Sequence, residues 1–278
     1  MNRSIKIGSR VFPLDKGTYV MGILNITPDS FSDGGRHNRL DEAVSHALRM
    51  IEEGADIIDV GGESTRPNYT MISEDEELSR VIPVIEAIRR VTDIPVSIDT
   101  YKSRVADAAC QAGADLINDI WGLRYDPDMV RVAVKNRVPV CLMHNRKTVD
   151  YKDFYKDFIN DMKECIRIAL DAGISKDGII LDPGIGIGFG KTYEMNLYLL
   201  NHLKKLHELG FPVLLGASRK SVIGLTLNEP VENRLEGTLA TTVVAVMNGV
   251  QFIRVHDVKE NIRAIRMTEA IRYQSPNE

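Results

Sequence analysis

Four cationic or imidazole side chains follow the last two apolar runs of the sequence. Arg219 and Lys220 come directly after Ser218, and Arg254 and His256 close the next run. Because alternate residues of an extended chain share a face, Arg254 and His256 point to the same side. Such donors suit phosphate-type anions, so the pattern predicts a site for a phosphate or a diphosphate. The alternative is that these are solvated charges or ion-pair partners.

A second group contains hydrogen-bond acceptors at the ends of buried runs. Asp99, Asn118 and Asp182 each close a short apolar stretch. A carboxylate in such a position is costly to leave unpaired, so it needs a cation or the N–H groups of a ligand. A carboxylate can accept two parallel N–H bonds from an amidine-like edge, which favours a donor-rich heterocycle. Internal pairing with Lys220 or Arg66 is the alternative.

Two polar loops accompany these groups. Residues 21–35 begin as an apolar run and continue as a polar segment that contains Asn25, Phe31 and Asp33. We interpret this segment as an active-site loop, with a surface loop as the alternative. The second loop, residues 63–67, is explained equally well as an ordinary connection, or together with the first loop as a cover over a substrate.

The glycine-rich run GIGIGFGKT at 184–192 is out of register for nucleotide binding. A P-loop requires four residues between its first glycine and Gly-Lys-Thr, but position 185 is isoleucine, and the dinucleotide fingerprint fails at Phe189. We interpret the run as a strand-to-helix loop in which Gly184 and Gly188 let the backbone approach a flat ligand.

The elements that position these side chains form a regular series. Strand-like apolar runs end near Ile26, Gly61, Asp99, Asn118, Met143, Asp182, Ala217 and Val255. Helical periodicity covers 41–53, 75–91, 103–112, 128–136, 155–172, 194–209, 233–248 and 258–272. Eight strand–helix units without a break in composition predict an α/β fold, a single (β/α)8 TIM barrel over residues 1–278. A doubly wound sheet is the alternative.

The polar residues at the strand ends favour the barrel. They are Asn25, Glu63, Asp99, Asn118, His144, Asp182, Ser218 and His256. A closed barrel brings the carboxyl ends of its strands to one mouth, whereas an open sheet spreads them along an edge. Alternation of apolar and polar residues around Gly8 and Ser9 predicts an additional N-terminal β-hairpin within residues 1–16.

Composition limits the possible partners. The chain has 278 residues, is 44% hydrophobic and has a formal net charge of −4, which gives no reason to expect nucleic acid. No apolar run approaches the ~20 residues that span a bilayer, and no apolar leader begins the chain, so we expect a cytoplasmic protein without membrane contact. Segment 238–248 is apolar on nearly all sides. Because an outer helix of a barrel needs only one apolar face, we expect a homodimer.

Several motifs, in this order, resemble the dihydropteroate synthase family of the folate pathway, the family that sulfonamides inhibit. They are NITPDSFSDGG at 25–35, DVGGESTRP at 59–67, SIDT at 97–100, INDI at 117–120, the glycines after Asp182, GASRKS at 216–221 and RVHDV at 254–258. The resemblance covers nearly the whole chain and implies a pterin-binding TIM barrel. The glycine loop departs from the family pattern through its Ile-Gly step, which affects only the fine shape of that loop.

The resemblance implies that 4-aminobenzoate displaces diphosphate from a dihydropterin methyl diphosphate, with Mg²⁺ as cofactor and small molecules as partners. The implied catalytic residues are Asp99, Lys220, Arg254 and His256. The implied pterin diphosphate site contains these four together with Thr65, Arg66, Asn118 and Asp182. The implied 4-aminobenzoate site contains Phe31, Pro67, Lys220 and Ser221, with Asp33 in the loop above it and Asn25 as metal ligand.

Two other functions are compatible with part of this pattern. Folate-dependent methyltransferases that pass a methyl group to a corrinoid have a similar pterin barrel, but they have no need of a diphosphate clamp at Arg254 and His256. A non-catalytic barrel that holds pterins for a partner is the second alternative. The joint presence of Asn25, Asp99, Lys220 and His256 disfavours this alternative, because a barrel that has lost its catalytic activity does not need both metal and anion ligands.

Overall fold

The computed structural model describes residues 3–26, 36–63 and 71–274, with residues 36–39 as backbone only. Within these ranges the strands are β1 Ser4–Ile7, β2 Arg10–Pro13, β3 Tyr19–Asn25, β4 Ile57–Gly61, β5 Val96–Asp99, β6 Leu116–Asp119, β7 Val140–Met143, β8 Ile179–Asp182, β9 Leu214–Leu215 and β10 Phe252–Val255. The α-helices are α1 Arg36–Glu52, α2 Glu74–Val91, α3 Ser103–Ala112, α4 Met129–Asn136, α5 Phe154–Asp171, α6 Tyr193–Asn201, α7 Leu203–Leu206, α8 Ser221–Leu227, α9 Leu235–Met247 and α10 Val258–Tyr273.

Strands β3 to β10 form a closed parallel barrel. Each strand from β3 to β7 pairs with the next, and β10 pairs with both β3 and β9. A parallel bridge between Leu181 and Val213 joins β8 to the segment before β9, and Leu181 N donates to Pro212 O at 2.9 Å. The prediction of a (β/α)8 barrel is therefore confirmed, and the doubly wound sheet is excluded. The seventh barrel strand, β9, has only two residues and ends before the predicted position at Ala217.

The predicted N-terminal hairpin is present and closes the bottom of the barrel. β1 and β2 are antiparallel, and the turn between them places Gly8 in the left-handed region at a φ of 58°. Ile5, Ile7 and Phe12 of the hairpin are buried. They form one cluster with interior residues of the barrel strands, Met21, Ile57, Leu116, Cys141, Ile180, Leu214 and Phe252. The hairpin thus covers the end of the barrel opposite the carboxyl ends of its strands.

The helices follow the predicted segments with two differences. The segment 194–209 is divided into α6, α7 and a 3-10 turn, because His202 N bonds to Leu199 O while its ring contacts Tyr198 O at 2.8 Å. The short helix α8 after β9 was not predicted, since its sequence is rich in β-branched residues and contains Gly224. None of the helices in the described part combines the length and the apolar character that a bilayer span requires.

Candidate active site

Polar side chains from adjacent strands meet at the carboxyl end of the barrel. The strand registers pair Asn25 with Gly61, Gly61 with Asp99, and Asp99 with Asn118. These residues lie in one row across β3, β4, β5 and β6, as a single mouth requires. A Cβ atom on Gly61 would lie 3.6 Å from Asn25 Oδ1 and 3.8 Å from Asp99 Oδ2. Glycine at this position therefore leaves a space that both polar side chains border.

Arg254 of β10 connects two carboxylates in this mouth. Its Nε donates to Asp59 Oδ2 at 2.6 Å, and its Nη2 donates to Asp99 Oδ2 at 2.5 Å. Asn118 Nδ2 also donates to Asp59 Oδ2, at 3.3 Å. Burial lowers the pKa of Arg254, but the two carboxylates outweigh burial and raise the pKa above its usual value. The guanidinium is therefore fixed in its charged form, and it uses two of its five N–H donors on these carboxylates.

The same carboxylates retain free acceptor atoms. Asp59 Oδ1 and Asp99 Oδ1 are buried and accept no hydrogen bond from any described residue. Burial raises the pKa of Asp99 to about 7, while Arg254 opposes the shift and Asp59 adds to it. Two carboxylates share one guanidinium here, so one of them takes up a proton readily. A ligand with N–H groups or positive charge would supply the donors that these oxygens lack.

Asp182 and Lys220 form the opposite side of the mouth. The Asp182 side chain is buried, and its Oδ1 accepts from Gly184 N at 2.7 Å. Lys220 Nζ donates to Ile185 O at 2.5 Å and lies 5.4 Å from the centre of the Phe189 ring. Burial lowers the pKa of Lys220 to about 8, and Asp182 opposes this shift. Burial raises the pKa of Asp182, and Lys220 opposes that shift.

Asp182 and Arg254 border the same small space. A Cβ atom on Gly216, which follows β9, would lie 3.7 Å from Asp182 Oδ2 and 3.8 Å from Arg254 Cβ. The acceptor group and the cationic group predicted from the sequence therefore meet at one rim of the barrel. A flat ligand that bonds to Asp182 on one edge has a guanidinium within reach on the other.

The predicted cationic group divides into two parts. His256 stays at the mouth, where its Nδ1 lies 3.0 Å from Ser218 Oγ and its backbone N donates to the same oxygen at 3.2 Å. Arg219 instead forms an ion pair with Asp257, with Nε 2.8 Å from Oδ2. The ion-pair alternative is thus correct for Arg219. Ser221, assigned by resemblance to the 4-aminobenzoate site, is the first residue of α8 and directly follows Lys220.

The glycine loop after β8 packs against its own chain. Gly184 has a φ of 66°, and a Cβ atom there would lie 2.1 Å from His144 O. The close approach that we predicted for a flat ligand at Gly184 is therefore made to the backbone of the β7 end. Lys191 is buried in this loop, and its Nζ donates to His144 O at 3.1 Å and to Phe189 O at 3.2 Å. Burial lowers the pKa of Lys191 to about 7, with Asp182 opposing.

Several site residues assigned from the sequence lie outside the described part of the chain. Those in the loop after β3 are Phe31 and Asp33, and those in the loop after β4 are Thr65, Arg66 and Pro67. Their assignments remain predictions. The other residues assigned to the site from the sequence are described by the structure, and they are Asn25, Asp99, Asn118, Asp182, Lys220, Ser221, Arg254 and His256.

The donor set at the mouth suits one kind of metal ion. The described residues contain no group of three His, Cys, Asp or Glu side chains that could hold a metal by themselves. Mg²⁺ does not require such a group, because it is usually held by one or two protein oxygens together with waters and substrate phosphates. Asn25 offers a side-chain oxygen next to the space that Asp99 borders. This arrangement fits a magnesium ion that binds together with a diphosphate.

Asp59 belongs to this site, although the sequence reasoning assigned it no role. It lies in the middle of β4 with a fully buried side chain, where it accepts from both Arg254 and Asn118. The signal was present in the sequence, because an acidic residue inside the apolar run IIDVG must find a donor. Its partner, however, lies on β10, and no local pattern identifies that strand as its neighbour in the mouth.

Comparison with known proteins identifies close relatives. The model of the family described as "Pterin binding enzyme" matches residues 21–256. A dihydropteroate synthase from Clostridium beijerinckii is 61% identical over 268 residues, which are 96% of this chain and 99% of that protein. A dihydropteroate synthase structure from Clostridium difficile, determined in the presence of pteroic acid, is 50% identical, with a TM-score of 0.90 over 98% of this chain and 100% of that chain. The Xanthomonas albilineans enzyme, determined with 4-aminobenzoic acid, is 44% identical, with a TM-score of 0.92 over 99% of this chain and 100% of that chain.

Proposed function

This chain belongs to the dihydropteroate synthase family, and we propose that it joins 4-aminobenzoate to (7,8-dihydropterin-6-yl)methyl diphosphate, giving 7,8-dihydropteroate and diphosphate in folate biosynthesis. The observation that carries the proposal is the convergence of Asp182, Lys220, Asp99 and Arg254 around one space at the barrel mouth. Acceptors for a pterin edge and donors for an anion are then available to one small molecule.

The pterin is held by the acceptor side of the mouth. Its aminopyrimidine edge carries N–H donors in an amidine-like arrangement, which match a carboxylate such as Asp182. Asn118 and Asp99 accept or donate at the remaining ring nitrogens, and Lys220 donates at the carbonyl of the ring. Because Asp99, Asn118 and Asp182 are buried residues of barrel strands, they bind the pterin with little loss of side-chain freedom.

The diphosphate is held by Arg254 and His256 together with Thr65 and Arg66. Arg254 has three N–H donors that the bonds to Asp59 and Asp99 do not use. Asn25 would hold Mg²⁺, which when bound neutralises charge on the diphosphate oxygens. Stabilisation of the departing oxygens lowers the barrier to cleavage of the C–O bond.

The transfer itself needs no nucleophilic side chain. As the bond between the methylene carbon and the diphosphate oxygen breaks, positive charge develops on the methylene, and the Asp99 carboxylate lowers the energy of that charge. The electron pair of the broken C–O bond leaves with the diphosphate, and the amino nitrogen of 4-aminobenzoate then attacks the methylene carbon, forms the C–N bond and loses one proton to water. We place the aminobenzoate between Phe31, Pro67, Lys220 and Ser221, with Asp33 in the covering loop. Asp99, Lys220, Arg254 and His256 are the proposed catalytic residues.

Diphosphate release tests this function against the two alternatives. The dihydropterin methyl diphosphate is incubated with the chain, with and without 4-aminobenzoate, and both diphosphate and dihydropteroate are measured. We expect both products in equal amounts, and only when both substrates are present. Binding without turnover would favour a non-catalytic pterin barrel. Transfer of a methyl group from a methylated folate to a corrinoid, with no condensation, would favour a methyltransferase.

The expected homodimer has support on the outer surface of the barrel. Helices α9 and α10 pack side by side, and both leave large apolar side chains exposed. The most exposed on α9 is Met247 at 51%, and the two most exposed on α10 are Met267 at 63% and Ile271 at 62%. Exposed apolar side chains on neighbouring helices are typical of a subunit interface. We propose that two copies meet here, and that residues 1–278 act as one pterin-binding domain on small molecules in the cytoplasm.

A further inference from the structure

We propose that Lys102 is a positioning residue that holds both ends of the connection after β4. Its Nζ donates to Glu63 Oε2 at 2.6 Å and to Ile72 O at 2.9 Å. Glu63 immediately precedes residues 64–70, and Ile72 lies two positions beyond them. One ammonium group therefore joins the start and the end of the connection. The inference rests on the proposed function, which assigns Thr65 and Arg66 in this connection to the diphosphate.

Further bonds fix this junction to the body of the barrel. Lys102 Nζ donates a third bond to Glu77 Oε2 on α2, at 2.7 Å. Tyr101 OH donates to Glu63 Oε1 at 2.7 Å, and Ile72 N donates to Glu63 Oε2 at 3.2 Å. An ammonium group has three N–H donors, and all three are used here. The positions of Glu63 and Ile72 are thus defined relative to each other, to β5 and to α2.

The cost of this cluster argues for a role beyond stability. The exposed fractions of the Lys102, Glu63 and Glu77 side chains are 8%, 3% and 1%. Two buried carboxylates share one ammonium, and apolar side chains of similar volume would stabilise such a region equally well or better. Apolar packing, however, provides no directional bond to a backbone carbonyl or to a glutamate at a loop boundary. The ionic cluster therefore serves to set position.

The expected consequence is selective for part of the substrate. The connection carries residues proposed for the diphosphate, whereas Asp182 and Asn118, proposed for the pterin ring, lie on other strands. A displaced binding group loses its charge-assisted hydrogen bonds to the ligand, and the loss of one such bond can weaken binding about tenfold or more. Loss of Lys102 should therefore weaken binding of the pterin methyl diphosphate and leave binding of the diphosphate-free pterin alcohol nearly unchanged.

The test compares Glu77→Gln with Lys102→Met/Glu77→Gln, because these differ only in the lysine. Lys102→Met alone leaves two buried carboxylates without a cation and is prone to unfold, while the double variant retains only the Glu63 carboxylate, which keeps two other donors. By calorimetry, we expect Glu77→Gln to bind both the ester and the alcohol within about twofold of wild type. The double variant should bind the ester at least about tenfold more weakly and the alcohol as wild type does. Equal losses on ester and alcohol, or no loss on either, would overturn the proposal.

A combination with Arg66→Ala separates this inference from the proposed function. Arg66→Ala alone should weaken binding of the ester. An unchanged ester affinity would remove Arg66 from the proposed diphosphate site, and with it the residue through which Lys102 is proposed to act. If Lys102 acts through this connection, adding the Lys102→Met/Glu77→Gln changes to Arg66→Ala should cost much less than it does in wild type. A full, additive loss would show that Lys102 acts elsewhere and would overturn the positioning role.

Discussion

At the level of single residues, the carboxylates at the barrel mouth are only partly neutralised by the described side chains. Asp59 and Asp99 share the guanidinium of Arg254, and each keeps one buried oxygen without a donor among the described residues. A buried site with two carboxylates and one cation is poorly neutralised until a donor or a positive charge arrives. In the proposed reaction, the pterin would supply N–H donors, and the methylene carbon would supply positive charge as its bond to the diphosphate breaks. The incomplete neutralisation of these carboxylates lowers the stability of the free protein, and it would thus favour binding of the ligand and of the transition state.

This imbalance predicts how stability depends on pH. Burial raises the pKa of Asp99 from 3.8 to about 7, so between these values the folded protein holds a proton that the unfolded chain has lost. The contribution of Asp99 to stability is greatest below about pH 4 and is lost as the pH rises to about 7, by at most about 1.4 kcal/mol per pH unit. Urea midpoints measured from about pH 5 to about pH 8 should show this fall in wild type and a flatter curve in Asp99→Asn.

A surface carboxylate provides the matched control. Asp107 on α3 has a pKa that is lowered, chiefly by the hydrogen bond from Lys135, and the substitution Asp107→Asn should leave the slope in this pH range unchanged. If Asp99→Asn retained the wild-type slope, the Asp99 carboxyl would not be the group that titrates in this pH range.

Residues at strand ends could be placed from the sequence, and residues held by distant partners could not. Asp99, Asn118 and Asp182 each terminate an apolar run, and parallel strands in a barrel bring such ends together whatever the details of packing. Lys191 gave no such signal. A lysine after a glycine loop is usually solvated, and its burial depends on the carbonyl of His144 from another strand.

At the level of elements, the glycine loop after β8 determines how Lys220 is held. Gly184 donates to Asp182 and fits against His144 O, and Ile185 O accepts from Lys220. The sequence excluded nucleotide binding for this loop because the register of its glycines is wrong. It did not give the shape of the loop, since the contact that requires glycine at 184 comes from the end of β7. The spacing of glycines in the sequence therefore identifies a loop, but it does not identify the part of the chain against which the loop packs.

An alanine at position 184 should disturb both stability and ligand binding. The new Cβ atom would lie 2.1 Å from His144 O, on a residue with a φ of 66°. Alanine in the left-handed region costs about 1–2 kcal/mol, and the contact with His144 should increase this to at least about 3 kcal/mol. The shift of the loop should also weaken pterin binding, because Gly184 N and Ile185 O orient Asp182 and Lys220. Chemical denaturation and calorimetry measure the two effects.

Gly210→Ala separates backbone strain from this contact. Gly210 has a φ of 86°, and a Cβ atom there would have no neighbour within 4 Å. This variant should lose only about 1–2 kcal/mol and bind pterin normally. Equal destabilisation of the two variants, with pterin binding intact in both, would contradict the importance of the Gly184 contact.

At the scale of the whole molecule, the regular spacing of strands and helices was sufficient to predict the barrel, and the sequence motifs were needed to predict its family. The resemblance that rested on seven motifs is confirmed by relatives that match over nearly the full chain. Two features of closure were beyond the sequence. The barrel closes through a two-residue β9 and a bridge from Val213, and the N-terminal hairpin supplies apolar side chains to the barrel bottom. Both depend on contacts between residues that are far apart in the sequence, which local periodicity does not report.

The outer surface of the barrel leads to a prediction about assembly. A barrel helix needs one apolar face, and α9 and α10 carry further apolar side chains on their exposed sides. A charge at Met247 or Ile271 would have to be buried in the proposed dimer interface, which costs several kcal/mol when no partner charge is present. Met247→Glu and Ile271→Glu should therefore sediment as monomers at micromolar concentration, while wild type sediments at twice the chain mass.

Leu170→Glu is the control, because Leu170 on α5 is 40% exposed and lies on a different helix of the outer ring. It should leave the dimer intact. If the interface lies on α9 and α10, both Met247→Glu and Ile271→Glu should keep wild-type affinity for the pterin alcohol, because the proposed pterin-binding residues lie at the strand ends. A wild-type chain that sediments as a monomer would contradict the proposed dimer. A dimer that persists in both glutamate variants and dissociates in Leu170→Glu would place the subunit contact on another helix.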